Sequence, residues 1–494
     1  MQAIADFLND KLTWMLVFVL PAAGIYFTAR TRGVQFRHLG TMWKVIFSSR
    51  GNAGSEGISS FQAFAISLAS RVGTGNIVGV AIALTLGGPG AIFWMWVMAF
   101  LGMATAYAEA TLAQLYKIPH SDGTFRGGPA YYIQRGLKSR PFGIVFACAL
   151  IFTFGFSFNG VQANTITGVV SSTWGLDKTL VALALTVITA LIVFGGIKQV
   201  AKVTEWMAPL MALAYVLIAL AVLVLRIGDV PAQIALIFKA AFGADQAIAG
   251  ALGGISAAVL NGVKRGMFSN EAGMGSAPNA AATATTSHPV HQGLIQSAGV
   301  FVDTIIVCTA TAVMILLAGP DLYVAGETKR AAADTLTQSA AAAELGTWIT
   351  PVMAVLIFVF AFSSILGNYT YAEVNQDFIG GGRMGNLAIR VLVVVATLWG
   401  GLQKLGVVWD LADVAMSIMA VINLVAIFML GRYAVGALRD FEAQSGPYME
   451  RVFDLHDNPY VPDDIPGEVW HSKQAQGVTN SPHATDGSAP QDNL

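Results

Sequence analysis

The stretch "SLASRVGTGNIVGVAIALTL" (67–86) is apolar enough to sit in lipid, yet it carries Arg71 and then Gly73, Thr74, Gly75 and Asn76 in succession. Each glycine costs a helix about 1 kcal/mol relative to alanine. Inside a bilayer, any backbone group that leaves the helix also needs a new partner. A helix that stops and restarts here frees two kinds of group. The restarted half exposes N–H groups and a positive dipole end, which suit a carboxylate. The half that stops exposes carbonyl oxygens, which suit Na+. In this reading Gly73, Thr74 and Gly75 supply N–H groups, Ala69 to Val72 supply carbonyls, and Asn76 adds a side-chain amide.

A second anomaly lies at "GMFSNEAGMGSAPNAAATA" (266–284), where Gly266, Gly273 and Gly275 flank Ser269, Asn270 and Glu271. It separates an apolar stretch (247–262) from an alanine-rich helical one (276–286). Glycines are also common in membrane helices as close-packing sites, and one such stretch alone leaves both readings open. Two interrupted spans at corresponding places in two halves are the sign of an inverted-repeat secondary transporter.

The elements that must position these breaks follow from composition. The 494 residues are 55% hydrophobic and 12% charged, with mean hydropathy +0.62; a soluble domain carries about 25% charged residues. An all-α integral membrane protein is expected, and the net charge of −1 gives no field for nucleic acid. Apolar runs long enough to span fall at 13–29, 61–84, 90–116, 141–170, 179–196, 205–226, 247–268 (continuing through 276–286), 293–318, 348–371, 386–402 and 408–430, eleven in all. Alternate loops are basic, beginning with Arg30, Arg32, Arg37, Lys44 and Arg50, so the N-terminus is expected outside and the C-terminus in the cytoplasm. The expected organisation is an extra helix and basic loop (1–60), a five-helix repeat broken at 72–76 (61–226), an outer interfacial segment (227–246), a second five-helix repeat broken at 268–275 (247–440), and a disordered tail (441–494). The polar helix candidate within 320–347 is placed over an outer vestibule, and 127–140 along the inner surface.

Single residues divide between chemistry and packing. Intramembrane charges are functional candidates by default. Arg71 reads as a gate or ion-pair residue, or as snorkelling to the inner surface; Glu271 as a partner of Lys264, Arg265 or Arg71, or as a gating or proton-coupling group; Asp303 as a candidate for ion coupling. Glu109 and Glu373 are expected to be hydrated, His288 and His291 to lie on the surface, and Cys148 and Cys308 to be buried structural thiols. The aromatic run 93–100 reads as packing, and the N-terminus does not look like a cleaved signal.

The motifs "SRVGTGNIVGVA" (70–81), "GGPAYYIQRG" (127–136), "VQANTI" (161–166), "GVKRGMFSNEAGMGSAP" (262–278), "HPVHQGL" (288–294) and "FSSILGNYTYAE" (362–373) resemble the alanine or glycine:cation symporter family, over about residues 12–440. The resemblance implies a leucine-transporter-like fold of five plus five helices and Na+-coupled, in some members H+-coupled, uptake of alanine or glycine. It implies that Gly73, Thr74 and Gly75 receive the substrate carboxylate beside Asn76, that Gln162 faces the pocket, and that Phe268 and the backbone near Gly273 close it. It further implies a Na+ site from Ser363 and Ser364 with the carbonyls of Ala69 and Val72, an oxygen-only set that suits a hard cation. One departure is Asn368, where many members carry a tryptophan that narrows the pocket; a smaller polar residue leaves room for a larger or more polar substrate.

The expected protein is thus a multi-pass carrier of a bacterial inner membrane, working as a monomer with Na+ or H+ as coupling ion and no organic cofactor. An ion channel would want rings of filter carbonyls, which the sequence does not repeat. An enzyme would want clustered catalytic residues, and the seven histidines are scattered. ATP-driven transport would want a P-loop, which is missing from the sequence.

Overall fold

A computed structural model describes residues 2–49, 58–121, 123–243, 248–456, 458–467 and 469–470. The chain is helical almost throughout. A two-residue antiparallel ribbon, Ile118–Pro119 with Phe125–Arg126, departs from the all-α expectation. Helices occupy every apolar run read from the sequence: Gln2–Arg30, the bent pair Ser60–Arg71 and Gly75–Gly87, Gly90–Leu115, Arg140–Trp174, Lys178–Val193, Gly196–Leu225, Ile248–Asn270 followed by Ala277–Thr283, Pro289–Leu317, Ile349–Ile379, Gly382–Leu402 and Leu405–Ala443. Among the described residues, seven helices are individually long and apolar enough to cross a bilayer, or eight with the bent pair taken as one span.

Local signals set the helix ends. Ser59 and Gln62 form a reciprocal capping box at the start of Ser60–Arg71. Asp177 caps Lys178–Val193 by accepting from the N–H groups of Thr179 and Leu180. Shorter helices stand in the inner-surface segment, the outer interfacial segment and the polar segment of the sequence reading: Pro129–Gly136, Val230–Ala241 and Ala333–Leu345. Phe93 of the aromatic run packs on Phe238 and Phe242, at centroid distances of 5.4 and 5.1 Å.

The two interrupted elements are buried and the outer helices cover them. Gly196–Leu225 and Gly382–Leu402 present Trp206, Leu210, Leu213, Val391 and Val395 outward, apolar surface that needs lipid. Gly160 and Gly400 let Arg140–Trp174 and Gly382–Leu402 cross almost backbone to backbone; a Cβ on Gly400 would stand 2.2 Å from the Gly160 Cα. Ile58, just before the first interrupted element, forms a bridge with Ala284, just after the second.

Several expectations are corrected. The chain beyond 441 does not lose its structure at once: Phe453, Leu455, Val461, Ile465 and Trp470 are buried against the helices. Residues 471–494, where the rest of that expectation falls, lie outside the described residues. His288 and His291 are buried rather than on the surface, because this segment and the end of Leu405–Ala443 cover them: His288 meets Asp440 of that helix at 3.0 Å and packs on Phe453 at 5.3 Å, and His291 meets the Tyr448 carbonyl at 2.7 Å. Glu109 and Glu373 are buried rather than hydrated, and Cys148 is exposed while Cys308 is buried.

Candidate functional site

The first break falls where the glycines place it. Ser60–Arg71 ends at Val72, whose ψ of 86° turns the chain out of the helix, and the two halves meet at 48°. In an unbroken helix the Gly73 N–H would donate to the Ala69 carbonyl. Here it donates to Asn76 Oδ1 at 3.0 Å, and the Thr74 N–H donates to Gln162 Oε1 at 3.2 Å. The released Ala69 carbonyl accepts from Ser364 Oγ at 3.0 Å and Ser363 Oγ at 3.3 Å. Gly73 has to be glycine, since a Cβ there would stand 2.1 Å from Ser364 Oγ and 3.2 Å from Gln162 Oε1. The chain restarts as a π-helical turn, Gly75–Gly79. Two threonines steady its carbonyls: Thr311 Oγ1 donates to Asn76 O at 2.7 Å and Thr337 Oγ1 to Ile77 O at 3.4 Å.

The second break starts later than its sequence suggests. Ile248–Asn270 keeps Phe268, Ser269 and Asn270 in its last turn, and the chain leaves the helix at Glu271, with φ 57°, then Gly273 at 87° and Gly275 at 80°. The expected break over 268–275 is therefore corrected to 271–276. Phe268 reaches the first break from the helical side: its ring stands 2.9 Å from where a Gly75 Cβ would be. It is held between Phe158 and Trp409, at 4.4 and 4.5 Å. Gly273 does not close this site. Its N–H donates to Glu109 Oε2 at 3.1 Å and its carbonyl accepts from Asn423 at 3.0 Å, a separate buried cluster.

Gly73, Thr74, Gly75, Asn76, Gln162, Phe268, Ser363, Ser364 and the Ala69 carbonyl thus converge on one buried junction. Val72 lies within it as the turning residue. Asn368 sits one helical turn from Ser364, where its amide bridges Ser70 Oγ at 2.8 Å and Asn159 Oδ1 at 3.0 Å.

Asp303 supplies the junction's carboxyl group. Asn76 Nδ2 donates to its Oδ1, and Ser269 and Thr304 donate to its Oδ2 at 2.7 and 2.6 Å. Its intramembrane charge was the sequence signal; that it meets Asn76 was not legible. Ser269, Cys308 (3.3 Å from Asn76 Nδ2) and Trp409 were also missed, and Trp409 carried no signal at all. Lys264 and Arg265 turn to Asp413, not to Glu271: Lys264 Nζ lies 3.6 Å away and Arg265 forms a direct pair. Arg71 does not snorkel; it is buried and donates to the Gln296 carbonyl at 3.0 Å.

The arrangement offers amide donors and carbonyl acceptors from one interruption, with hydroxyls opposite. It can hold a carboxylate on one side and a small cation on the other.

A family model described as "Sodium:alanine symporter family" matches residues 1–455. The amino-acid carrier protein AlsT of Bacillus subtilis (strain 168) is 44% identical over 468 residues, 95% of this chain and 97% of that one. The probable sodium/glutamine symporter GlnT of the same organism is 44% identical, covering 92% and 93%. The sodium/alanine symporter AgcS of Methanococcus maripaludis is 39% identical, covering 87% and 94%. Among solved structures, MhsT in complex with L-phenylalanine is similar in fold, with a TM-score of 0.56 over 78% of this chain and 97% of that one at 13% identity. A helical membrane transporter of leucine-transporter-like fold, this chain belongs to the sodium:alanine symporter family.

Proposed function

We propose that this protein imports a small neutral amino acid, of the alanine or glycine class, by symport with Na+ and alternating access. One observation carries the reading. A single interruption frees both the Gly73 and Thr74 amides and the Ala69 carbonyl, and Ser363 and Ser364 face that carbonyl.

The substrate carboxylate takes the N–H groups now held by Gln162 Oε1 and Asn76 Oδ1, so those two side chains keep the amides satisfied between turnovers. Na+ takes the Ala69 and Val72 carbonyls with the two serine hydroxyls, which rotate their lone pairs towards it. Each ligand fixes the backbone geometry the other needs, so binding of either strengthens binding of the other. Phe268, wedged between Phe158 and Trp409, covers the junction from the second interrupted element. Glycine at 75 lets that ring approach; a Cβ would meet it at 2.9 Å.

The same reading takes the eleven helices as spans, outside N-terminus and cytoplasmic C-terminus, in two five-helix repeats of opposite direction. The two interruptions and the Ile58–Ala284 bridge between their flanks support the repeat. The carrier acts as a monomer in a bacterial inner membrane.

A broader or more polar specificity is favoured by Asn368, and one relative is named for glutamine. Competition uptake in proteoliposomes across the common amino acids, in Na+ and in choline, tests both. Alanine and glycine competing best, and only in Na+, is the expected result. Equal uptake in choline at fixed pH overturns Na+ coupling, and competition dominated by glutamine moves the substrate. Asn368→Trp is expected to narrow competition towards alanine and glycine; an unchanged profile removes Asn368 from the specificity argument.

A further inference from the structure

The two interruptions satisfy their freed backbone amides in different ways. In the first, the Gly73 and Thr74 N–H groups donate to neutral side-chain amide oxygens, those of Asn76 and Gln162. In the second, the Gly273 N–H donates to a carboxyl oxygen, Glu109 Oε2, at 3.1 Å. Glu109 stands on Gly90–Leu115, outside both interrupted elements. Its Oε1 accepts from Asn423 Nδ2, which also donates to the Gly273 carbonyl at 3.0 Å. A carbonyl only accepts, so the orientation of the Asn423 amide is fixed, and its Oδ1 takes the hydroxyl hydrogen of Tyr132. All three side chains are buried. The glycines let the backbone lie against them: a Cβ on Gly275 would stand 2.8 Å from Asn423 Cγ.

This difference sorts the two places by what they can bind. An ionised carboxylate holds an N–H about twice as strongly as a neutral oxygen does. A carboxylate from solution therefore gains by displacing Asn76 and Gln162 from the first interruption. It gains nothing at the second, where one carboxylate would replace another. The second place is also tied to the first through the backbone. Gly273 lies just past Glu271, where Ile248–Asn270 ends, and the last turn of that helix holds Phe268 between Phe158 and Trp409 and Ser269 on Asp303.

We propose that the second interruption is a carboxylate-binding site filled by the protein's own Glu109, and that Glu109 is a positioning residue for Phe268. The carboxyl group pins the unwound backbone to Gly90–Leu115 and, through Asn423, to Leu405–Ala443. The end of Ile248–Asn270 is thereby held where the Phe268 ring meets Gly75. A substrate carboxylate binds at the first interruption alone, because the second is already occupied. Only the consequence for uptake rests on the proposed symport; the filled site does not.

The test uses the full chain. Glu109→Ala removes the Cγ methylene and the carboxyl group, the heavy atoms of an acetate ion, so the vacated site should take acetate from solution. The purified variant is expected to melt about 2 °C or more higher in about 100 mM sodium acetate than in sodium chloride of equal strength. The wild type and Glu109→Gln, whose side chain fills the space, are expected to melt alike in the two salts. No acetate response in Glu109→Ala, or the same response in all three proteins, overturns the filled site. Should Glu109→Ala fail to fold in either salt, hydrogen exchange of residues 271–276 in Glu109→Gln decides. One of the two donors then faces an NH2 group, so exchange is expected to quicken about threefold or more, and unaltered exchange overturns the site. Glu109→Gln also tests the positioning role. In proteoliposomes its KM for alanine is expected to rise about threefold or more, with Vmax within about twofold, and the rise should vanish in a Phe268→Ala background. An unaltered KM, or an equal rise in that background, overturns the positioning role. Absence of Na+-dependent uptake of any amino acid, with acetate still stabilising Glu109→Ala, overturns the symport reading and leaves the carboxylate site standing.

Discussion

One methyl group decides whether the junction can form. Gly73→Ala would put a Cβ 2.1 Å from Ser364 Oγ and 3.2 Å from both Ser364 Cβ and Gln162 Oε1, so the hydroxyl that faces the Ala69 carbonyl must swing away and the break must shift. Uptake is expected to fall by about tenfold or more, with protein still present in the membrane; alanine uptake per molecule of inserted protein measures it. Asn76→Ala acts differently. It leaves the Gly73 amide without its acceptor and Asp303 Oδ1 without its Asn76 donor, so Na+-dependent uptake should be lost while expression persists; wild-type uptake would remove Asn76 from the site. The four residues 73–76 were legible because glycine and polar side chains contradict an apolar span. Asp303 was legible as a charge and not as a neighbour of Asn76, since 227 residues separate them.

At the scale of elements, a helix stands on every apolar run, because a bilayer leaves the backbone little alternative; the helix Leu39–Ser48, in what read as a basic loop, was not foretold. The second break was misplaced by three residues for a specific reason. Ser269 and Asn270 are poor helix formers by propensity, but their side chains are spent on Asp303 and Thr304, so the helix continues beneath them. The stop comes at Glu271, whose positive φ costs strain that a side chain bonded to Ser70 and Ser276 helps to hold. Arg265 closes the same helix from another side: it pairs with Asp413 and lies 4.9 Å over the Trp409 ring, next to Phe268. Asp413→Ala would strand a buried guanidinium, at a cost of about 3–5 kcal/mol. A lowered melting temperature of the purified protein is the expected sign; an unchanged one would mean Lys264 and the aromatic faces suffice.

At the scale of the whole molecule, the sequence hid the part played by residues 444–470. Their hydrophobic side chains are too sparse to read as a core: Phe453, Leu455 and Trp470 are scattered among charges. Burial under this segment pushes the His288 imidazole below its ordinary value, and its bond to Asp440 only partly opposes that. A histidine depressed in the fold takes up its proton more readily once the segment lifts. Its stabilising contribution is therefore present above the unfolded value of about 6.5 and is lost as the pH falls below it. Hydrogen exchange of residues 444–456 should quicken on acidification through that range, and His288→Gln should blunt the change.

Trp470 stands at the far end of that segment with its indole N–H on the Gln114 carbonyl, 3.0 Å away. Its ring lies 5.0 Å from Lys117 Nζ. The same ammonium donates to the carbonyl of Ala284, at the foot of the second interrupted element, and burial holds its pKa well below that of an ordinary lysine. Severing the polypeptide after Ala443 would strip Trp470 from Lys117 and open the Ala284 end of the second interrupted element to water. A reporter fused there, meant as an innocent label, would report on a different carrier.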